Sequence, residues 1–380
     1  MKKVLSVFGP RPSLMKIAAL GKALKKYRRE IKHLICHTGL PFDEDLPGGF
    51  FEGLDVPRSH FFLGVAGGSH TEQTARIMIE FEKVLIAEKP DLVVVPSDAN
   101  ASLAAAIVAS KLGTPIAHIE AGLRSFDNSQ TEEINRIVTD TVSSLLFVSE
   151  HSGMRNLRDE GIEESKIFFV GNIGADVLEE YYEELETDRF PKKIGLETGR
   201  YILAAFDHSS NVDDPDNLAK IIGLLEKLSE IRKVALIVYD NIRENLETFG
   251  LLEKIPQSIL LLDPTSYYDF LALLRQAELV LTDSGSIQYE TTYLGVQCIT
   301  IRRNTERPVT FDVGTNHFVG TDRDKIEKTA TDILNGTTKP GRTPELWDGK
   351  TAKRIAEAIA MFFESMGHRA WGMGHGAKGQ

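Results

Sequence analysis

The chain has 380 residues, which at about 100–200 residues per domain suggests two domains. Hydrophobic residues make up 42 % and charged residues 26 %, a balance that excludes intrinsic disorder. The longest small-apolar stretch, Ala101 to Ala109, is well short of the ~18 residues a membrane span needs. A formal net charge of −11 argues against a nucleic-acid binder with a basic face. It does not exclude an anionic small ligand held by local arginines and helix N-termini. The opening apolar run breaks at Gly9-Pro10-Arg11-Pro12, so no secretory signal is expected. Cys36 and Cys298 lie in apolar, strand-like contexts. They are too few for a disulfide framework or a zinc site and read as buried free thiols in a reducing cytoplasm.

In chain order, short apolar runs alternate with helical patterns. Residues 4–8 read as a strand, 14–27 as a helix and 33–37 as a strand. A long amphipathic helix covers 72–88, then a strand 92–95, a helix 101–112 and a strand 115–119. A helix at 132–142, a strand at 144–148, a helix at 152–160 and a strand at 166–170 close the first series. Such alternation predicts an α/β fold with a parallel sheet covered by helices on both faces. Residues 179–200 are charged and contain Pro191 and Gly195, with no strand until 201–205. The alternation then restarts: helix 216–228, strands 234–238 and 259–262, helix 267–275, strand 279–282, helix 287–294, strand 297–301. Two doubly wound domains follow, with a boundary near 171–200, and 351–365 reads as an amphipathic helix before a frayed tail. Ligands of open parallel sheets bind outside the carboxyl ends of the strands, so two such domains facing each other predict a cleft lined by those loops.

The strand at 279–282 runs through Asp283-Ser284-Gly285-Ser286 into a helix. That arrangement presents free backbone N–H groups and the positive end of a helix dipole, which suit a diphosphate as well as an ordinary capped turn. Glu290 sits one turn further on, placed to accept from ribose hydroxyls. Arg307, after the next strand end, offers a fixed guanidinium. In the first half, Arg11 and Lys16 flank the turn after the first strand and are candidate anion contacts. Asp98 and Glu120 follow successive strands, and Glu132 and Arg136, four apart, are expected on one helix face. Acids at successive strand ends converge on one crevice, and His208 lies at a strand end of the second half. The ten histidines show no metal-ligand spacing, so no metal is expected. The full G-x-G-x-x-G dinucleotide pattern is absent as well.

Five segments carry a family likeness: 68–76 (Gly-Ser-His-Thr-Glu-Gln-Thr-Ala-Arg), 118–125 (His-Ile-Glu-Ala-Gly-Leu-Arg-Ser), 132–136 (Glu-Glu-Ile-Asn-Arg), 282–288 (Thr-Asp-Ser-Gly-Ser-Ile-Gln) and 305–308 (Thr-Glu-Arg-Pro). Over nearly its whole length the chain resembles the non-hydrolysing UDP-N-acetylglucosamine 2-epimerases. The resemblance implies two Rossmann-like domains in a GT-B arrangement with the ligand cleft between them. It places residues 1–171 in the first domain, with a helix at 351–366 packing back on it, 172–350 in a UDP-binding domain, and 367–380 in a flexible tail. It implies anti elimination of UDP to enzyme-bound 2-acetamidoglucal, then syn re-addition with the other configuration at C2. Asp98, Glu120 and Glu132 are the implied acid/base and cation-stabilising set, with His208 at the leaving group. Arg11, Lys16, Arg136, Ser284, Gly285, Ser286, Glu290 and Arg307 would hold UDP and sugar, and Phe270 would pack near the uracil. No cofactor, no nucleic acid and no membrane is implied. The implied partners are a UDP-sugar and a second copy of the chain, as a cytoplasmic homodimer supplying N-acetylmannosamine units for surface polysaccharide.

Departures from the family pattern narrow this further. Ser13 replaces an acid, Thr38-Gly39-Leu40-Pro41 replaces Thr-Gly-Gln-His, and Ser209 and Ser210 stand where Arg and Glu usually follow the histidine. Tyr239-Asp240 stands in place of a His-Pro pair, Gln288-Tyr289-Glu290 in place of Gln-Glu-Glu, and Gly285-Ser286 in place of Gly-Gly. In regulated bacterial members several of these groups hold a second UDP-N-acetylglucosamine, so their loss predicts either no activating second substrate or a different sugar. Two further enzymatic readings stay open, epimerisation of a modified UDP-sugar such as a diacetamido uronate and hydrolytic release of free N-acetylmannosamine. A non-catalytic UDP-sugar-binding protein is the reading from another class. A GT-B glycosyltransferase shares the architecture, but the carboxylate set favours chemistry at C2.

Overall fold

A computed structural model describes residues 1–10, 12–40, 55–187 and 189–374, with side chains in the last helix described through Ser365. Arg11 and Pro41, named above, lie outside the described residues. The chain divides into two compact units. One takes residues 1–40, 55–177 and 346 onward, the other 178–345.

In the first unit, β1 (Lys2–Phe8) leads into α1 (Pro12–Leu24), β2 (Ile31–His37), the short β3 (Phe61–Phe62) and α2 (His70–Glu88). There follow β4 (Leu92–Val95), α3 (Asn100–Lys111), β5 (Ile116–Ile119), α4 (Thr131–Val142), β6 (Leu145–Val148), α5 (His151–Asp159) and β7 (Ile167–Phe169). All strands are parallel, in the order β3-β2-β1-β4-β5-β6-β7. Their continuous apolar runs reflect burial on both faces. Along β4, Leu92 and Val94 join one core with Val4, Ile119 and Phe147, while Val93 and Val95 join the other with Leu5, Val7 and Phe81. Ile355, Ile359 and Phe363 from the final helix complete the first of these cores. The long α2 starts on a capping box, in which Ser69 Oγ accepts from Glu72 N and the Glu72 carboxylate accepts from Ser69 N.

The division between the units falls within α6 (Ile173–Thr187), and α7 (Phe190–Lys193) follows it. The second unit contains β8 (Tyr201–Ala205), α8 (Ser209–Val212), α9 (Pro215–Ser229), β9 (Lys233–Ile237), α10 (Asp240–Thr248) and β10 (Ile259–Leu262). It continues with α11 (Tyr267–Gln276), β11 (Leu279–Thr282), α12 (Gly285–Leu294), β12 (Gln297–Thr300), α13 (Val309–Asp312), β13 (Asn316–Phe318) and α14 (Arg323–Leu334). Its parallel sheet has the order β10-β9-β8-β11-β12-β13. Both sheets are Rossmann-like, and each reverses its strand order once, at β1/β4 and at β8/β11. Those two switch points are where a doubly wound sheet opens a crevice for a ligand.

Several boundaries differ from the sequence reading. The charged stretch after 178 forms most of α6, because Leu178 and Leu185 are buried at helical spacing behind an acidic outer face. The helix after β11 begins at Gly285 rather than 287, so Ser284 is its N-cap residue. The final helix, α15, runs from Thr351 to Gly374. Both cysteines are free and buried, and burial pushes each thiol up to about 12.

Candidate functional site

At the β1/β4 switch point of the first unit the candidate acids meet cations. Lys16, one turn into α1, donates to Glu120 Oε2 at 2.8 Å, and both side chains are buried. Arg136 on α4 bonds the Asp98 carboxylate with one terminal nitrogen. With its other donors it grips Glu133 Oε2 at 2.8 and 3.0 Å. Asn135 donates to the Asp98 carbonyl at 2.8 Å and to Asn100 Oδ1 at 3.1 Å. Asn100 in turn donates to Gln73 at 2.7 Å, so α2, α3 and α4 are locked behind Asp98.

Glu132, expected on one face with Arg136, is not what Arg136 binds. Glu132 is exposed, while its neighbour Glu133 is buried and accepts the Ser125 and Phe126 amides at 2.9 and 2.8 Å. At about 100° per residue, Glu133, Arg136 and Asp140 lie within about 60° of one another on the inward face, and Glu132, about 40° to the other side of Arg136, falls at its exposed edge. Glu133, Arg136 and Asp140, at i, i+3 and i+7, form one charged stripe along α4. Asp140 bonds His118 Nδ1 at 2.6 Å and Arg124 at 2.7 Å. Burial pushes its carboxyl up, yet His118 and Arg124 together outweigh that and hold it below the ordinary range.

The second unit gathers a helix N-terminus and two arginines at its own switch point. Ser284 caps α12 without a side-chain bond to the first turn, which leaves the leading N–H groups of a ten-residue helix directed at the loop space. A Cβ on Gly285 would sit 2.1 Å from Glu306 Oε1 and 3.5 Å from Arg307 Nε, so only glycine lets these groups approach. Arg302 and Arg307 are both buried and both face the Glu306 carboxylate, at 3.3 and 3.7 Å. The two guanidiniums thus bracket Glu306, whose carboxylate lies against Gly285 at the helix N-terminus. Arg307 also lies 5.1 Å over the Tyr289 ring, which fixes its plane.

Glu290 is buried, and its Oε1 accepts from Tyr267 Oη at 2.6 Å. Asp283, also buried, accepts the Asp207 amide at 2.8 Å and Asn211 at 2.9 Å. It thereby fixes the turn that carries His208. Burial raises the Asp283 carboxyl above its usual range in spite of these donors. His208 is half-buried and caps α8, its Nδ1 bonded to Ser210 Oγ at 2.8 Å. Tyr239 stands near Asp207, Asp283 and Glu290; burial first, and then those three charges, push its phenol up. Phe270 is half-buried on α11.

The UDP-N-acetylglucosamine 2-epimerase family model matches residues 22–360. A UDP-N-acetylglucosamine 2-epimerase of Methanocaldococcus jannaschii is 39 % identical over 94 % of this chain and 98 % of its own. Its crystal structure, in complex with UDP-GlcNAc and UDP, superposes with a TM-score of 0.87 at 38 % identity, covering 95 % of this chain and all of that one (100 %). The chain belongs to the UDP-N-acetylglucosamine 2-epimerase family. A UDP-2,3-diacetamido-2,3-dideoxy-D-glucuronate 2-epimerase of Pseudomonas aeruginosa is 37 % identical over 94 % of this chain and 99 % of its own.

Family membership sets the candidate residues in context. Within the first unit the fold brings Lys16 to Glu120 and Arg136 to Asp98, and it leaves Glu132 solvent-facing on the first turn of α4. Within the second unit it brings Gly285, Glu306 and Arg307 together and turns Glu290 toward Tyr267. The sequence reading assigned no role to Glu133, Asp140, Arg302, Glu306, Tyr267 or Asp283. For α4 a signal existed, since charges at i, i+3 and i+7 lie on a face that a half-buried helix directs inward. Asp283 is adjacent to the N-cap, and only its burial separates it from an exposed cap residue. No cluster of metal-ligating side chains occurs among the described residues, and none of their helices is long and apolar enough to cross a membrane.

Proposed function

We propose that the chain interconverts UDP-N-acetylglucosamine and UDP-N-acetylmannosamine by anti elimination of UDP and syn re-addition to 2-acetamidoglucal. The observation that carries this reading is the pairing of Glu120 with Lys16 and of Asp98 with Arg136 at the carboxyl ends of β5 and β4, in a chain closely related to named epimerases along almost its full length. The C2 proton has no carbonyl beside it to acidify it, so departure of UDP must run ahead and build positive charge at C1. Carboxylates paired with neighbouring cations suit stabilisation of that charge. A carboxylate in the set takes the C2 proton as the C1–O bond breaks, and returns one on the other face. Glu132, exposed and apart from the buried ion pairs, is free to exchange that proton. The N–H groups at Ser284, Gly285 and Ser286 receive the diphosphate, Arg307 supplies the countercharge, and Glu290 and Phe270 address ribose and uracil. His208, with Nδ1 engaged by Ser210, presents Nε2 to the departing phosphate. Arg11 belongs to the same binding set by its place after β1.

A diacetamido-uronate substrate is the second reading, favoured by the Pseudomonas relative at nearly the same identity. The Ser209-Ser210 and Tyr239-Asp240 substitutions support a site without activation by a second substrate molecule, and rate curves should then be hyperbolic. We carry the homodimer within the proposal, and light scattering reads it. The elimination route is tested by UDP-N-acetylglucosamine bearing ¹⁸O in the sugar–phosphate bridge. Scrambling of the label into the β-phosphate non-bridging positions is expected. Epimerised product without scrambling would overturn the elimination, and free N-acetylmannosamine would favour hydrolysis.

A further inference from the structure

The connection from β5 to α4 carries Glu120 in a left-handed backbone conformation, with φ +69°. A non-glycine residue adopts that geometry at a cost of about 1–3 kcal/mol, and only where its surroundings impose it. Glu120 N and Ala121 N both donate to the Phe147 carbonyl of β6, at 3.0 and 3.1 Å. Two residues later Gly122 has φ +79°, and a Cβ there would lie 2.4 Å from the Gly153 carbonyl oxygen. Asn156 donates to the Gly122 carbonyl at 2.8 Å. The remaining anchor comes from α4. Asp140, with none of its surface exposed, accepts from His118 Nδ1 at one oxygen, at 2.6 Å. Its other oxygen accepts from Gly122 N at 3.0 Å and from Arg124 Nη1 at 2.7 Å. His118 precedes Glu120 by two positions and Gly122 follows it by two, so one carboxylate grips the chain on both sides of the left-handed residue. Arg124 is held in turn by Glu160 through two bonds of 2.8 and 2.6 Å.

We propose that Asp140 is a positioning residue for the epimerisation: by binding His118, Gly122 and Arg124 to α4 it holds Glu120 in the turn that sets its carboxylate against Lys16. The proposal rests on the reaction proposed above, in which Glu120 belongs to the acid/base set. A carboxylate is the side chain that fits, because all three partners donate. An asparagine of the same shape offers one accepting oxygen and sets an NH2 group against at least one of those donors. One side of the grip then opens, and the strained Glu120 relaxes toward an ordinary backbone conformation. Misplacement of a reacting group by about 1 Å costs on the order of 10²-fold in rate. The second-unit groups assigned to UDP are not touched, so the loss falls mainly on kcat.

The test compares Asp140→Asn with Asp176→Asn. Asp176 is a second carboxylate of the same unit; it accepts the Thr351 and Ala352 amides at 3.0 and 2.7 Å and so ties α15 to α6. We expect kcat of Asp140→Asn to fall about 30- to 100-fold with KM for UDP-N-acetylglucosamine within about threefold, while amide deuterium exchange across 118–126 speeds up. Asp176→Asn should lower Tm yet keep wild-type kcat per folded molecule and wild-type exchange across 118–126. The proposal is overturned by an Asp140→Asn enzyme with kcat within about threefold of wild type. Unchanged exchange across 118–126 overturns it too, as does a kcat loss that only follows the folded fraction. Should Asp140→Asn not fold, His118→Asn removes one of the three contacts and is expected to show a smaller kcat loss in the same direction. A wild-type protein inactive on UDP-sugars would sink the reaction itself, and the amide exchange would still decide whether Asp140 holds the turn.

Discussion

Replacing Lys16 by methionine keeps the aliphatic stem and removes a cation 2.8 Å from Glu120 Oε2. At that separation and an effective dielectric constant of 20, the attraction is about 6 kcal/mol. Much of this offsets the desolvation of two side chains that keep only 10 % and 7 % of their surface exposed. Removing one partner of such a pair costs about 3–5 kcal/mol, because the other loses a cation that offsets its burial. Urea denaturation at pH 8 should therefore show Lys16→Met about 3–5 kcal/mol less stable than wild type. The double variant Lys16→Met/Glu120→Gln, with no buried charge left behind, should recover stability relative to the single one. A single variant within about 1 kcal/mol of wild type at pH 8 would refute a buried, mutually dependent pair, as would a double variant that loses the sum of both single effects.

Glu132→Gln, at an exposed position, should leave stability within about 0.5 kcal/mol while lowering kcat by about 10²–10⁴-fold; Glu133→Gln should instead lower Tm, since that carboxylate holds two amides and Arg136. Gly122→Ala forces a Cβ against the Gly153 carbonyl oxygen, 2.4 Å away; calorimetry should show a loss of about 3 kcal/mol or more. Because the Asp140 carboxyl is held below its ordinary range, its stabilisation is present above the unfolded-state value of about 3.9 and is lost as pH falls through the lower folded-state value. Asp140→Asn should accordingly flatten the acid limb of the stability curve below about pH 4. Gly285→Ala displaces Glu306 from beside the α12 N-terminus; titration calorimetry should find UDP bound about tenfold more weakly, a loss of about 1.4 kcal/mol.

The strands were legible because a doubly wound sheet buries both faces. Leu92–Val95 and Leu145–Val148 are unbroken apolar runs of strand length, rich in Val, Leu and Phe. The larger part of α6 was hidden by its charge, for Leu178 and Leu185 point inward from a segment crowded with glutamates. β13 is three residues long and begins with Asn316, too short and too polar to announce a strand. In the site, Asp98 and Glu120 could be singled out by their places after β4 and β5. Their partners could not, because Lys16 and Glu120 stand 104 positions apart and only the sheet brings them together. Glu132 and Glu133 are the same residue side by side, and only the line of Glu133 with Arg136 and Asp140 along one face sets them apart. The four-residue spacing of Glu132 and Arg136 suggested a shared face, but Arg136 is buried and bonds Glu133 and Asp98 while Glu132 is exposed.

The most direct measurement is proton NMR of the purified protein with UDP-N-acetylglucosamine in heavy water. Chemistry at C2 driven by the carboxylate set predicts that deuterium enters C2 of the recovered substrate while UDP-N-acetylmannosamine accumulates toward equilibrium. Retention of the C2 proton with no second sugar formed, under conditions where UDP still binds, would contradict it.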